Sequence, residues 1–344
     1  MDAVNDIFLI VRDAAATFLR GYLQSWFVDW IMAALGIALL LAVLVGTVMM
    51  LVWAERRTAG FIQSRLGPNR VGPFGLLQMV ADVIKLLTKE DIVPARGDVV
   101  VYTVAPILAV AASLMAYSVI PFGRGMQYAD LNIGILYVVS LSSLGVLAIL
   151  MAGWSSNNKY ALLGAMRGAA QMISYEIPIV LSILGVVMIT GSLSMTSIVN
   201  AQSGWQWNII YQPLGFLVYM IAALAEVNRQ PFDLVEADSE IVAGYHIEYS
   251  GMRFALFFLA EYLNAFAVSC IAVTLFFGGW QGPILPPYIW FVAKVAVVFF
   301  ILMWVRLTLP RMRVDQVLRF AWTWLIPLSL FNLFATGTVM ILVQ

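Results

Sequence analysis

The sequence has few charged residues for its length. Lysine, arginine, aspartate and glutamate make up 11% of the 344 residues, whereas hydrophobic residues make up 62%. Soluble domains average about 25% charged residues. The composition therefore excludes an ordinary water-soluble domain and predicts an integral membrane protein.

Cysteine and histidine are almost absent, and this limits the metals that the chain can hold. Cys270 and His246 are the only residues of their kinds. A disulfide within the chain is excluded, and a zinc or iron–sulfur site built from this chain is not expected. Because 19 basic residues balance 19 acidic ones, the charge does not favour a nucleic-acid partner. We expect no cofactor bound by this chain alone.

Long apolar runs dominate the sequence instead. Eight of them are long enough to cross about 30 Å of hydrocarbon at about 1.5 Å per residue. They predict an all-α integral membrane protein with about eight transmembrane helices. The predicted spans are residues 28–54, 99–121, 131–153, 160–190, 212–226, 251–277, 288–307 and 320–342.

Two further segments carry an apolar stripe but are too interrupted to span, so we predict amphipathic interfacial helices. The first covers residues 7–26 and the second begins at Pro73, within GPFGLLQMVADVIKLLTKE. An anchor at the membrane surface is the ordinary interpretation of the second. The predicted stripes are Val11, Ala15, Phe18 and Tyr22 in the first, and Phe74, Leu77, Val80, Ile84 and Leu87 in the second. The predicted division is an N-terminal amphipathic segment, 1–27, and a single transmembrane domain, 28–344.

The basic residues predict how the chain is oriented. The loop 55–98 carries seven lysines and arginines, whereas the loops at 191–211 and 278–287 carry none. The positive-inside rule therefore places the loops 55–98 and 227–250 in the cytoplasm and both termini outside.

Carboxylates collect where the predicted spans meet the loop 227–250. Glu226 closes the fifth span, Glu261 lies about 15 Å into the sixth, and Glu176 lies near the middle of the fourth. A charge at the bilayer centre costs about 2.5–3.5 kcal/mol on insertion scales, and such residues usually line an ion or proton path. The residues alone therefore predict a carboxylate chain that conducts protons or cations. A neutral, hydrogen-bonded structural glutamate is the alternative at each position, and a solvated face is the alternative for the loop acids.

Three stretches resemble one known family. Residues 55–91 read ERRTAGFIQSRLGPNRVGPFGLLQMVADVIKLLTKED, residues 225–262 read AEVNRQPFDLVEADSEIVAGYHIEYSGMRFALFFLAEY, and residues 306–322 read RLTLPRMRVDQVLRFAW. They resemble the signatures of the quinone-site membrane subunit of respiratory complex I, which is the H-type subunit in bacteria and subunit one in mitochondria. The resemblance extends from about residue 28 to the end of the sequence.

The resemblance implies a non-redox subunit of a proton-translocating NADH:ubiquinone reductase. Such a subunit forms the membrane part of a quinone chamber beneath hydrophilic subunits that hold the terminal iron–sulfur cluster. FMN and the other clusters would lie in partner subunits, and small membrane subunits and antiporter-like subunits would be neighbours in the lipid bilayer. The chamber entrance is expected between the first span, the sixth span and the amphipathic helix at 73–88. The extended N-terminus favours a bacterial plasma membrane over a mitochondrion.

The resemblance also implies roles for individual residues. Those expected to line or support the quinone chamber are Arg56, Arg65, Asp82, Asp233 and Arg306. Those expected to form the proton path are Glu226, Glu236, Asp238, Glu240, Glu248, Glu261 and Glu176. Two positions depart from the family pattern, since Asp238 stands where glutamate is usual and Thr323 where lysine is common.

Three other functions stay open from the sequence. A membrane subunit of an energy-converting hydrogenase also has acidic spans, but the GPNRVGP and PFDLVEADSE runs favour complex I. A stand-alone cation/proton antiporter fits the buried charges but leaves the basic amphipathic loop unexplained. A purely structural scaffold would tolerate neutral replacements at the buried glutamates.

Overall fold

The computed structural model describes the backbone of residues 7–204, 206–235, 238–283 and 285–343, and these residues form α-helices without a strand. The helices are α1 (Ile7–Arg20), α2 (Ser25–Ile62), α3 (Gln78–Thr88), α4 (Val99–Ala116), α5 (Gly134–Ser155), α6 (Lys159–Thr190), α7 (Met195–Ala201), α8 (Asn208–Tyr211), α9 (Pro213–Glu226), α10 (Asp238–Ile241), α11 (Gly251–Phe276), α12 (Pro287–Thr308), α13 (Val314–Phe320) and α14 (Ile326–Val343). A π-helical turn, Ala321–Leu325, joins α13 to α14.

Seven helical segments of the described chain are long and apolar enough to cross a membrane, which confirms an all-α integral membrane protein. They are α2, α4, α5, α6, α11, α12 and the continuous segment Val314–Leu342. The predicted fifth span corresponds to α9, which has only 14 residues. At about 1.5 Å per residue it is about 21 Å long, so it is too short to cross the hydrocarbon as a straight helix by itself.

Local sequence explains several helix ends. The Asp98 carboxylate accepts hydrogen bonds from the backbone of Val100 and Val101 at 3.1 and 3.2 Å, which caps α4. Asn158 caps α6 through the backbone N–H of Tyr160, at 2.9 Å. At the other end of α6, Gly191 takes the left-handed conformation that glycine accepts without strain.

Small residues on one face of α6 allow close packing. A Cβ added to Gly164 would lie 2.7 Å from the Gly244 Cα, and one added to Gly168 would lie 2.7 Å from a methyl group of Val235. The loop 227–250, which we call the acidic loop, therefore packs directly onto α6. Small residues that let backbones approach are a general feature of helix contacts in membranes.

Both predicted amphipathic segments are helical. The first ends at Arg20, earlier than predicted, and α2 begins at Ser25. The second consists of a 3₁₀ turn, Pro73–Gly75, followed by α3. Met79 is buried against the α2 and α11 side, whereas most of the predicted stripe is exposed, as in Phe74, which is 68% exposed. The apolar stripe thus faces away from the bundle.

We predict that Gly153→Ala destabilises the bundle. The new methyl group would press against the Ala165 side chain and lie 2.8 Å from the Ala161 carbonyl oxygen. Overpacking of this kind costs about 1–3 kcal/mol, so the melting temperature of the purified complex should fall. Gly46→Ala is the matched control, because a Cβ there has no neighbour within 4 Å. Equal melting temperatures for the two variants would contradict the packing argument.

Candidate functional site

Arg229 lies in the turn that follows α9, and its side chain is buried, with 4% exposed. The turn places Asn228 at a φ of 54°, in the left-handed region that asparagine tolerates better than most residues. Gln171 of α6 fixes this turn by donating to the carbonyl oxygens of Ala225 and Phe232, each at 2.7 Å. The acidic loop therefore starts from a position that α6 determines.

The ion pairs around Arg229 join four elements: α2, the turn after α9, α11 and α12. Its Nη1 donates to Glu55 Oε2 of α2 at 2.6 Å, and its Nε lies 3.1 Å from Glu261 Oε1 of α11. The other oxygen of Glu55 accepts a hydrogen bond from Arg306 of α12. The Arg229 guanidinium also lies 4.3 Å from the centre of the Tyr262 ring. We call Glu55, Arg229, Glu261 and Arg306 the Arg229 cluster.

The Arg229 cluster balances two positive with two negative charges. Burial acts to lower the pKa of Arg229, but the carboxylates of Glu261 and Glu55 outweigh burial and hold that pKa above its usual value. Arg229 therefore stays charged, and removing one partner would leave a buried charge without compensation. Breaking a buried pair in this way typically costs about 3–5 kcal/mol.

A recess of about 260 Å³ opens beside the end of α2. It is lined by Glu55, Arg56, Ala59, Arg65, Leu66, Gly67 and Pro68. Two glycines bring its walls together, since a Cβ added to Gly60 would lie 2.9 Å from the Gly67 nitrogen. The segment after α2 thus folds back on the helix and places Arg65 at the same recess as Arg56. We call this cavity the α2 recess.

Asp82 connects α3 to the α2 recess without lining it. Its carboxylate accepts hydrogen bonds from Arg56 Nη1 at 2.6 Å and from Gln78 Nε2 at 3.1 Å. Partial burial acts to raise the pKa of Asp82, but the hydrogen bonds from Arg56 and Gln78 and the charge of Arg56 outweigh it and hold that pKa below its usual value. Asp82 therefore orients Arg56.

The residues predicted for the quinone chamber thus lie in three kinds of place. Arg56 and Arg65 line the α2 recess. Asp82 and Arg306 each contact one of its lining residues, Arg56 and Glu55 respectively. Asp233 is half-buried in the acidic loop and does not line the recess. The structure therefore brings four of the five predicted residues to one location.

Two cavities lead from the Arg229 cluster toward Glu176. The first has a volume of about 50 Å³ and is lined by Glu261 and Glu226 among others. The second has a volume of about 70 Å³ and is lined by Glu226 and Glu176 among others. A cavity of about 10–15 Å³ can hold one water molecule when its walls supply polar partners. Glu226 therefore borders both cavities and stands between the other two acids.

The surroundings of Glu226 and Glu176 differ. Glu226 Oε2 is buried and accepts no hydrogen bond from the described residues. Glu176 accepts hydrogen bonds from Ser143 at 2.7 Å and from Ser142 at 3.3 Å. Two hydroxyls thus hold Glu176, whereas Glu226 has an oxygen available for a proton or a water molecule.

The remaining predicted acids lie elsewhere. Glu240 pairs with Arg167 of α6 at 2.5 Å and with Arg311 at 3.0 Å, and Glu248 accepts a hydrogen bond from Asn158 at 2.8 Å. Neither lines the two cavities. Glu236 lies outside the described residues, and of Asp238 only the backbone, at the start of α10, is described.

Sequence reasoning missed Glu55 and Arg229 as site residues. Glu55 immediately precedes Arg56 in the same ERR run, and Arg229 is the only cation of the otherwise acidic stretch 226–250. A single cation among carboxylates was the available signal for Arg229. The sequence carried a weaker signal for Glu55, because the burial of this residue depends on how α2, α11 and α12 meet.

We predict that Arg229→Gln strongly destabilises the complex. Glu55 and Glu261 would lose their shared cation, with an expected cost of about 3–5 kcal/mol, visible as a lower melting temperature of the purified complex. The double variant Arg229→Gln, Glu261→Gln should recover part of the loss. Arg20→Gln is the control, because its pair with Asp29 is exposed and is worth about 0–1 kcal/mol. A loss no larger than the control's would show that the Arg229 cluster is not a major stabilising contact.

We predict that the stability difference between the wild type and Asp82→Asn is constant from about pH 5.5 to pH 8. A carboxyl whose folded pKa is lowered stabilises the fold above its unfolded pKa of about 3.9, and this contribution is lost only as the pH falls through the folded value. Because Arg56 is partly exposed, the difference should not exceed about 1 kcal/mol. Melting temperatures at the two pH values test this, and a difference that shrinks at pH 5.5 would contradict a lowered pKa of Asp82.

Comparisons with known proteins identify the family of this chain. The sequence profile of the NADH dehydrogenase family matches residues 35–337. A protein of Dehalococcoides mccartyi strain CBDB1 is 57% identical over 308 residues, covering 90% of this chain and 87% of its own length. Proteins of Brevibacillus brevis and Anoxybacillus flavithermus are 52% and 49% identical, covering 88% and 92% of this chain and 91% and 96% of their own lengths. All three bear one name, that of the H-type subunit of NADH-quinone oxidoreductase. This chain therefore belongs to the NADH dehydrogenase family and, with these relatives, to the membrane subunits of respiratory complex I.

Proposed function

We propose that this chain forms the membrane part of a quinone chamber and couples quinone reduction to proton translocation through its buried carboxylates. The observation that carries the proposal is the position of the Arg229 cluster. Glu55 lines the α2 recess, Glu261 lines the first inner cavity, and Arg229 contacts both carboxylates. A change of charge in the α2 recess can therefore act on Glu261 through Glu55 and Arg229, and through Glu261 on Glu226 and Glu176.

The α2 recess supplies the groups that a quinone headgroup needs. Reduction of a quinone to a quinol takes two electrons and two protons and places negative charge on the ring oxygens before they are protonated. Arg56 and Arg65 supply positive charge beside this charge, and Asp82 holds Arg56 in place. Complete ligand pockets measure about 300–1,000 Å³, and the recess is smaller, at about 260 Å³. The hydrophilic partner subunits that hold the terminal iron–sulfur cluster complete the chamber.

Charge competition within the Arg229 cluster transmits the signal. Negative charge in the recess attracts Arg306 and weakens its pair with Glu55, and Glu55 then draws Arg229 away from Glu261. The loss of a neighbouring positive charge favours the protonated form of a carboxyl group. Glu261 consequently takes up a proton.

The inner cavities carry that proton onward. Glu226 borders the cavity of Glu261 and the cavity of Glu176, so its carboxyl group stands between the other two and passes the proton from one to the other. Beyond Glu176 the proton signal reaches the small membrane subunits and the antiporter-like subunits. Glu240 and Glu248, with Glu236 and Asp238, form the outer part of the proton path, on the acidic loop.

The electrons come from partner subunits that hold FMN and the iron–sulfur clusters. Among the described residues no group of three or more histidine, cysteine and acidic side chains is arranged to hold a metal. We place the chain in a bacterial plasma membrane, and the loop charges support an orientation with both termini in the periplasm and the loops 55–98 and 227–250 in the cytoplasm. No observation favours a hydrogenase subunit or a stand-alone antiporter, and the relatives bear the quinone oxidoreductase name.

We predict that Glu226→Gln lowers NADH-driven reduction of a ubiquinone analogue by about tenfold or more, equivalent to at least about 1.4 kcal/mol. Glutamine keeps the size of the side chain but cannot exchange a proton between the two cavities. Native membranes carrying the variant should show unchanged reduction of an artificial acceptor that accepts electrons upstream of the chamber.

Glu90→Gln serves as the matched control, because Glu90 is exposed and borders none of the three spaces described. Native gels of both variants should show the same amount of assembled complex. Normal quinone reduction by an assembled Glu226→Gln complex would contradict the proton path. That result would not affect the proposal that the α2 recess is the quinone site. Arg56→Gln tests the quinone site separately, because it should raise the KM for quinone.

A further inference from the structure

A second, larger recess lies at the end of the bundle opposite the Arg229 cluster. Helix α11 begins beside the acidic loop and ends at Phe276, 26 residues and about 39 Å further on. A cavity of about 500 Å³ opens near that end of α11. We call it the outer recess, and it is lined by Arg124, Asn200, Gly204, Trp207, Trp280, Gln281, Gly282, Pro283, Pro287 and Trp290.

Lys294 makes the wall of the outer recess rigid. Its Nζ donates to the carbonyl oxygens of Phe277, Gly279 and Gln281 at 2.7, 3.1 and 2.7 Å. The same Nζ lies 4.7 Å from the centre of the Trp207 ring. The segment after α11 and one of the aromatic walls are therefore held by a single lysine whose three protons are all used.

The outer recess offers positive charge without a negative partner. None of its lining residues is acidic, and Arg124 is exposed and forms no ion pair with any described residue. The N-terminus of α12, at Pro287, also borders the recess, and the positive end of a 22-residue helix dipole adds to the field of Arg124. This combination selects an anion.

The aromatic walls of the outer recess indicate what accompanies the anion. Trp207, Trp280 and Trp290 line the recess and supply flat, amphipathic surfaces of the kind that concentrates where a membrane meets water. Gln281 is held in the wall, since its Nε2 donates to the Val199 carbonyl at 2.7 Å.

We propose that the outer recess binds the headgroup of an anionic phospholipid, represented by phosphatidylglycerol. Arg124 and the end of α12 bind the phosphate, and the tryptophan rings contact the glycerol backbone. A volume of about 500 Å³ is within the usual range of ligand pockets, about 300–1,000 Å³. The site lies in the leaflet opposite the acidic loop and does not depend on the proposed quinone and proton functions.

The test compares the intact complex in wild-type, Arg124→Gln and Arg124→Lys forms after detergent removes loosely bound lipid. Melting temperatures are recorded with phosphatidylglycerol, phosphatidylcholine or sodium phosphate. Phosphatidylglycerol should stabilise the wild type and Arg124→Lys, whereas Arg124→Gln should need about tenfold more for a half-maximal shift. Phosphatidylcholine should act more weakly, and sodium phosphate should have no effect. Arg319→Gln, an exposed arginine of α13 at the acidic-loop end, should behave as the wild type.

Native mass spectrometry of the same preparations gives a second readout. The wild type should retain one more phosphatidylglycerol than Arg124→Gln, and NADH-driven quinone reduction with saturating lipid should be equal in both. Equal lipid retention and equal midpoints would overturn the proposal. So would equal stabilisation by phosphatidylcholine, which would remove the anionic selectivity, or by sodium phosphate, which would identify a free-anion site.

Discussion

Burying charge in an apolar bundle costs free energy, and the ion pairs around Arg229 offset that cost. Arg229 is buried among apolar helices and is stable there because Glu55 and Glu261 approach it from α2 and α11. Each of those carboxylates in turn requires a cation, and Arg306 supplies the second one for Glu55. The four elements must therefore meet at one place, because any one left apart would leave a buried charge uncompensated.

The same bundle contains a half-buried lysine with a different kind of partner. Lys294 donates to three backbone carbonyls, which cannot take up protons, so its surroundings hold a fixed shape. Arg229 is paired with carboxylates, whose proton affinity changes with the charge near them. Backbone partners thus suit the rigid wall of the outer recess, whereas carboxylate partners suit a site that passes a change of charge to its neighbours.

Close backbone packing makes the carboxylate site possible. Gly164 and Gly168 let the acidic loop approach α6 so closely that a methyl group would not fit. Gln171, further along the same helix, then fixes the turn that carries Arg229. The position of Arg229 is consequently determined by uncharged residues of α6 that border neither the α2 recess nor the Arg229 cluster.

The fold class and most of the long spans could be predicted from the sequence, because apolar length and scarce charge are local properties. The resemblance of whole motifs also indicated Arg56, Arg65, Asp82 and Arg306 as candidate site residues. The packing of the chain was needed to show that α9 is too short to span alone, that Glu55 and Arg229 are the centre of the candidate site, and that Glu226 borders two cavities while Glu240 pairs with arginines. Ion pairs form between residues up to 251 positions apart. The pattern of residues within one segment does not indicate which distant side chain will contact it.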